Sequence, residues 1–386
     1  MNRGAVVTCV TSNHLGYARA LVGSIRRFEP ALPVYVVIAD GNGEDRIDAE
    51  YVFCVTGFAL GIPDWKRFAF QYTAFELSCA LKPFALTYLL KCGHDAAVYL
   101  DADMYVCSNL RSIADELVGA EILLSPHAFS SPVNSPKTHG DLEALSRGVY
   151  NAGFLAVRRT VAAESFLDWW ATKCLKHCYV DTCRGVFVDQ CWLNLAPIQF
   201  PECRILRIAG INVAYWNLHE RDITVLDNNY FVNGQELVCF HFSGFDFHTP
   251  SKLSRHQTLC RLDDGSAVSR LAHEYANFLR DQLGDSAAVY RFANLSDGTP
   301  IKATWREAVR VDHPCLQGIP DPFDVMKQPD LKRRLCTAST DAVHGREEWR
   351  ATGMRLFFYR IAKLPLIRRI WLYWVERELV HGSRKQ

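Results

Sequence analysis

The chain has 386 residues, 49% of them hydrophobic and 22% charged, with a formal net charge of +1. That length buries a sizeable core and suits one large α/β domain with a smaller companion. The near-neutral balance excludes a dedicated nucleic-acid binder, which carries a basic excess, and the apolar fraction is ordinary for a soluble globular protein.

Met1 leads directly into the β-branched run Ala5–Val10, with no apolar leader segment before it, so the chain is expected to start here and to work in the cytoplasm. A polar loop, Thr11–Tyr17, is followed by apolar residues at helical spacing from Ala18 to Phe28, and then by a second apolar run, Val34–Ile38, closed by Asp40-Gly41. Strand, three-turn helix and strand make a βαβ unit. Its continuous apolar strands predict a mostly parallel sheet covered on both faces. Ligands of such sheets bind beyond the carboxyl ends of the strands. No Gly-x-Gly-x-x-Gly follows the first strand, which argues against a dinucleotide site.

Phe68–Leu90 reads as helix that restarts at Lys82-Pro83, and it feeds the apolar run Ala97–Leu100. Asp101 and Asp103 come next, one residue apart. On a strand they would leave the sheet on the same side, where two carboxylates repel unless a cation sits between them. Hard divalent ions favour such oxygen ligands. A pair of solvated loop acids is the bland alternative.

Ile122–Ser125 reads as a strand, and His127–His139 as a surface loop over a substrate. Tyr150–Val157 is a further strand in which Gly153 permits close approach, and Ala162–His177 is an amphipathic helix. Asp189 and Gln190 stand at the start of a helix, and Leu237–Phe245 carries His241 into a glycine turn. Fourteen cysteines are scattered singly, as reduced thiols would be. The Cys174, Cys178, Cys183 cluster lacks zinc-site spacing and reads as buried thiols on a helix.

Beyond Pro250, Val268–Leu283 is helical, Tyr290–Pro300 is a set of short extended pieces, and the proline-containing Arg306–Phe323 reads as irregular wrapping. The tail 346–386 has ten Lys/Arg against four Glu, a formal +6, interleaved with Trp371, Tyr373 and Trp374. It is too charged to span a bilayer, but a basic aromatic helix of this kind can lie on an anionic membrane surface; packing on the core is the alternative. The expected division is 1–250, 251–345 and 346–386.

Four separated motifs occur in order: Leu100-Asp101-Ala102-Asp103, Tyr150-Asn151-Ala152-Gly153, Val188-Asp189-Gln190 with Leu193-Asn194, and His241-Phe242-Ser243-Gly244. In that order, over roughly residues 5–250, the chain resembles the GT-A glycosyltransferases. It is most similar to the retaining family 8 group, which includes glycogenin and bacterial lipopolysaccharide galactosyl- and glucosyltransferases, and through the stretches Asn212–Arg221, His241–Phe245 and Leu253–Gln257 it looks more like enzymes of bacterial surface-polysaccharide gene sets.

The resemblance implies a single GT-A domain with a smaller α-rich C-terminal extension. It implies transfer of a sugar from a nucleotide sugar, UDP-linked, to a glycan or lipid-linked glycan at the cytoplasmic face of the inner membrane. Asp101, Asp103 and His241 would hold Mn²⁺ or Mg²⁺. Lys82 would meet the donor phosphate or sugar, and Asn151 the transferred sugar. Asp189 would bind sugar hydroxyls, Gln190 would lie beside the anomeric carbon, and Thr11 and Tyr17 would hold the nucleobase.

One departure stands out. Relatives follow the His-Phe-x-Gly turn with Lys-Pro-Trp, whose lysine grips the diphosphate, whereas this chain continues Phe245-Asp246-Phe247-His248-Thr249-Pro250-Ser251-Lys252. His248 and Lys252 are the substitutes that the sequence offers. Two other readings remain. One is a sugar-nucleotide-binding or membrane-associated scaffold without activity. The other is a haloacid-dehalogenase-type phosphohydrolase, whose Asp-x-Asp normally ends the first strand.

Overall fold

The structure is a computed structural model, and it describes residues 3–131, 140–257, 262, 265–283 and 288–340. The chain forms two compact units, Met1–Pro300 with Pro320–Phe323, and Ile301–Ile319 with Asp324–Gln386. The basic tail and the tip of the loop after His127 lie outside the described residues.

The first unit is built on a seven-stranded sheet. Strand β1 (Gly4–Val10) is buried along its whole length, as its apolar β-branched sequence requires. Helix α1 (Leu15–Arg26) returns the chain to β2 (Val34–Ile38), and β3 (Val52–Thr56) closes that edge. Helices α2 (Trp65–Phe70), α3 (Ala74–Ala80) and α4 (Lys82–Lys91) replace the one interrupted helix expected here. The extra break falls before Thr73. Its hydroxyl accepts from the Glu76 N–H while the Glu76 carboxylate accepts from the Thr73 N–H, a capping box that starts α3 afresh.

Strands β4 (Ala96–Leu100) and β5 (Met104–Val106) flank the Asp-Ala-Asp turn. Helix α5 (Arg111–Val118) leads to β6 (Ile122–Pro126), α6 (Asp141–Arg147) to β7 (Tyr150–Arg158), and α7 (Val161–Cys174) to the small β8 (Val180–Asp181) and β9 (Val186–Phe187) hairpin. Helix α8 (Ala196–Gln199) and β10 (Cys203–Ile205) complete the sheet, whose order is β10-β6-β7-β4-β1-β2-β3. All neighbouring pairs are parallel except that β7 runs antiparallel to both β4 and β6. The sheet is therefore mixed but mostly parallel.

Beyond the sheet, β11 (Ile223–Leu226), β12 (Asn229–Val232) and β13 (Gln235–Glu236) form a meander, and β14 (Cys239–His241) pairs antiparallel with β5. Helix α9 (Ala267–Leu283) packs on α1. An aromatic core joins this layer to the first, with Phe242 stacked on Tyr275 at 4.1 Å between centroids.

In the second unit, α10 (Ala303–Arg310) occupies part of the stretch read as irregular, because Trp305, Ala308 and Val309 fall on one buried face. A further helix covers residues 331–340, and its Arg334 donates to the carbonyls of Cys315 and Gln317 at 2.6 and 2.9 Å. Among the described residues every cysteine is free, and no helix is long and apolar enough to cross a membrane.

Candidate active site

The Asp-x-Asp pair does not continue its strand. β4 ends at Leu100, and the Met104 N–H donates back to the Asp101 carbonyl at 3.0 Å, closing a turn. The two carboxylates converge because this turn reverses the backbone, and not because of strand alternation. β5 then pairs with β14, setting Met104 opposite His241, and the Phe242 N–H donates to the Asp103 carbonyl at 2.9 Å. His241 Nε2 thus lies 3.1 Å from Asp103 Oδ1 and 3.9 Å from Asp101 Oδ2. One ligand atom from each of Asp101, Asp103 and His241 falls within 4.8 Å of the others.

Gly153 makes that approach possible. A Cβ there would stand 2.5 Å from His241 Cε1 and 2.9 Å from Asp101 Oδ2. No side chain fits at that position.

Burial opposes a charged His241, but the carboxylates of Asp103 and Asp101 outweigh it and hold the imidazole pKa above its ordinary value. Asp103 is correspondingly held below the usual carboxylate range, since His241 outweighs the burial that would raise it.

A buried amide network orients the ring. The Gly153 N–H donates to Asn151 Oδ1 at 3.1 Å, so that atom is an acceptor, and Asn212 Nδ2 donates to it at 3.1 Å. Asn212 Oδ1 is then left to accept from His241 Nδ1–H at 3.1 Å, so that Nε2 is the nitrogen that faces the carboxylates and that would give up its proton to a cation bound there. The same logic sets Gln190. Its Oε1 accepts from the Ala152 N–H at 3.0 Å and from Asn151 Nδ2 at 3.1 Å, while its Nε2 donates to the Arg147 carbonyl at 3.0 Å.

Lys82 is the buried cation of the site, 3% exposed. It starts α4, and its ammonium lies 3.1 Å from Asp101 Oδ1, 3.4 Å from Asp189 Oδ2 and 3.1 Å from the Ala152 carbonyl, over the Tyr99 ring. Burial pulls its pKa down, but Asp101 and Asp189 together drive it well above the ordinary lysine value, so it is charged at neutral pH. Tyr99 donates to Asp101 Oδ1 at 2.9 Å.

Asp189 precedes a short 3₁₀ turn without capping it. Its carboxylate instead turns inward to Lys82 and the Cys79 thiol. Burial pushes it up to about 6 against the pull of Lys82.

A cleft of about 410 Å³ opens at the carboxyl ends of β1 and β4; Asn151, Asp189, Gln190 and His241 lie behind its wall and are not among its lining residues. Thr11, Tyr17, Lys82, Asp101 and Asp103 line it, together with His14, Phe75 and Cys79, and with Arg255 and His256 of the Leu253–Gln257 stretch, to which the sequence assigns no role. His248 and Lys252 are exposed and are not among the lining residues. Asn212, the first residue of the Asn212–Arg221 stretch, is a further residue of the site, to which the sequence assigns no role. Its φ of 55° is tolerated by asparagine but is visible only in the fold.

The donor set fits a divalent cation: two hard carboxylate oxygens suit Mg²⁺ or Mn²⁺, and an imidazole with a fixed tautomer favours Mn²⁺.

No family model matches the chain. In sequence it is 23% identical over 301 residues to the uncharacterized protein YfnD of Bacillus subtilis (strain 168), across 75% of this chain and 93% of that protein. It is 22% identical to YfnF of the same organism, across 67% of this chain and 87% of that one. Among solved structures, the galactosyltransferase LgtC in complex with donor and acceptor sugar analogs aligns over 74% of this chain and 98% of its own, at a TM-score of 0.42 and 14% identity.

Proposed function

We propose that this protein is a divalent-cation-dependent glycosyltransferase of GT-A type, moving a sugar from a nucleotide sugar, UDP-linked, to a glycan or lipid-linked glycan in surface-polysaccharide synthesis. The observation that carries the reading is the convergence of Asp101, Asp103 and His241 within 4.8 Å, beside the buried Lys82 ammonium at the edge of a cleft. The order of the four sequence motifs supports it. These three side chains would hold Mn²⁺ or Mg²⁺, which, when bound, supplies Lewis-acid stabilisation of a departing diphosphate.

The chain's own groups do the rest. Lys82 offers a fixed positive charge whose orientation needs no rearrangement during reaction. Thr11 and Tyr17 hold the nucleobase end of the cleft, and the Asn151–Gln190 pair behind its wall is placed on the side of the transferred sugar. Asp189 holds Lys82 in place from behind and leaves a negative charge near the anomeric centre. Its oxygens face Lys82 and Cys79, so we favour front-face attack with retention over a covalent intermediate on Asp189. The leaving phosphate takes the acceptor's proton. The basic tail 346–386 is proposed to rest on the cytoplasmic surface of a membrane and to bring the enzyme to a lipid-linked acceptor.

The test is release of nucleoside diphosphate from a panel of nucleotide sugars by the purified full chain, with Mn²⁺ and with EDTA. We expect Mn²⁺-dependent release, reduced at least about a hundredfold by Asp101→Ala or Asp103→Ala. Release that is indifferent to both substitutions sinks the proposal, and metal and nucleotide binding without any release favours the scaffold reading.

A further inference from the structure

The turn after His241 holds a guanidinium, Arg255, and an imidazole, His256, at the wall of the cleft. Phe242–Phe245 closes with the Phe245 N–H on the Phe242 carbonyl at 3.0 Å, and Gly244 sits at φ +69°, where a side chain is strained. Eleven residues past Ser243, the chain returns and is bolted to this turn. The Arg255 N–H donates to the Gly244 carbonyl at 2.9 Å, and Ser254 Oγ donates to the Ser243 carbonyl at 2.7 Å while accepting from the His256 N–H at 3.1 Å. The fit is close: a Cβ on Gly244 would lie 2.3 Å from His256 Cδ2.

This brace sets Arg255 and His256 in the wall of the cleft that Asp103 and Lys82 also line. Arg255 has no acidic partner among the described residues. It acts across the cleft: burial first, and then Asp103 and Arg255 in opposite senses, set the lowered pKa of His14 on the nucleobase loop. A guanidinium without a counter-ion, lining the cleft close to a cation-type carboxylate pair, calls for an anion as ligand, and its planar fork of donors matches phosphate oxygens. His248 and Lys252 are exposed, as Arg255 and His256 are, but they are not among the residues that line the cleft, and the His248 backbone N–H is spent on Asp246 at 3.0 Å.

We infer that Arg255, held by the Ser243-Gly244 and Ser254 brace with His256 beside it, grips the diphosphate of the nucleotide substrate, in the role for which the sequence offers His248 and Lys252. This rests on the proposed function. The experiment is calorimetric binding of UDP, ADP and GDP, and of uridine, adenosine and guanosine, to the full chain in Mn²⁺.

For whichever diphosphate binds, Arg255→Ala weakens it about tenfold or more, while the matching nucleoside binds unchanged. Arg255→Lys recovers part of the loss, which distinguishes a charge contact from a folding defect. If Arg255→Ala binds the diphosphate as wild type does, or if Lys252→Ala or His248→Ala alone removes the preference for diphosphate over nucleoside, the inference is overturned and the glycosyltransferase reading stands. If wild type binds none of the three diphosphates, the glycosyltransferase reading falls, and the inference with it.

Discussion

Asp189 is 1% exposed and shares the Lys82 ammonium with Asp101, so it receives only part of one cation to offset its burial. Burial therefore wins and raises its pKa from 3.8 to about 6. The folded chain then binds this proton more tightly than the unfolded chain. The stability it contributes is full below about pH 4 and is lost as pH rises through about 6, at most about 3 kcal/mol at neutral pH. Asp189→Asn removes that dependence. We expect the variant to melt no higher than wild type near pH 4 and several degrees higher at pH 7.5, with reduced activity because Lys82 is held from one side only. Melting curves across this range check it, and an advantage that does not grow with pH refutes it. Asp189 could be picked out from the sequence, but its protonation could not, because the Lys82 and Cys79 that surround it come from other elements. Asn212 was less legible still. The orientation of His241 depends on it, yet it stands 29 residues away, and the Asn212–Arg221 stretch that contains it says nothing of that contact.

At the scale of elements, the strands were readable because a buried strand must be a continuous apolar run. Their sense was not: β7 has the same pattern whether parallel or antiparallel, and only pairing with β4 and β6 decides it. The same holds for the Asp-Ala-Asp turn, whose residues read equally well as strand. Helix α1 adds a constraint of close approach. A Cβ on Gly16 would meet Leu283 Cδ2 at 2.6 Å and the Leu283 Cα at 3.0 Å, so α9 packs on a bare stretch of α1. Leu283 can turn its side chain aside, but its backbone cannot move without shifting the helix. Gly16→Val is expected to destabilise the fold by about 1–3 kcal/mol through overpacking. Urea titration measures it, and a midpoint within error of wild type would show that α9 yields freely.

On the scale of the whole molecule, the tail carries the prediction. The described residues contain no membrane-crossing helix, while 346–386 concentrates a charge of +6 in a chain of +1. Each basic residue near an anionic surface contributes about 1 kcal/mol, weakened by salt. The full chain should therefore float with liposomes rich in anionic lipid, a chain ending at residue 345 should not, and raised salt should release the former. Unchanged flotation on truncation refutes the membrane role. The sequence by itself determined the mostly parallel α/β character and the carboxylate pair, because strand burial is a local property of the chain, while His241 as the candidate third ligand came from the family resemblance. The tertiary structure alone decided which groups surround them: Asn212 on His241, Lys82 between two carboxylates, and Arg255 and His256 in the cleft in place of His248 and Lys252. The reason is physical. A side chain's type is written locally, but its charge state and its partner depend on residues tens to hundreds of positions away, and folding alone brings these within 4 Å.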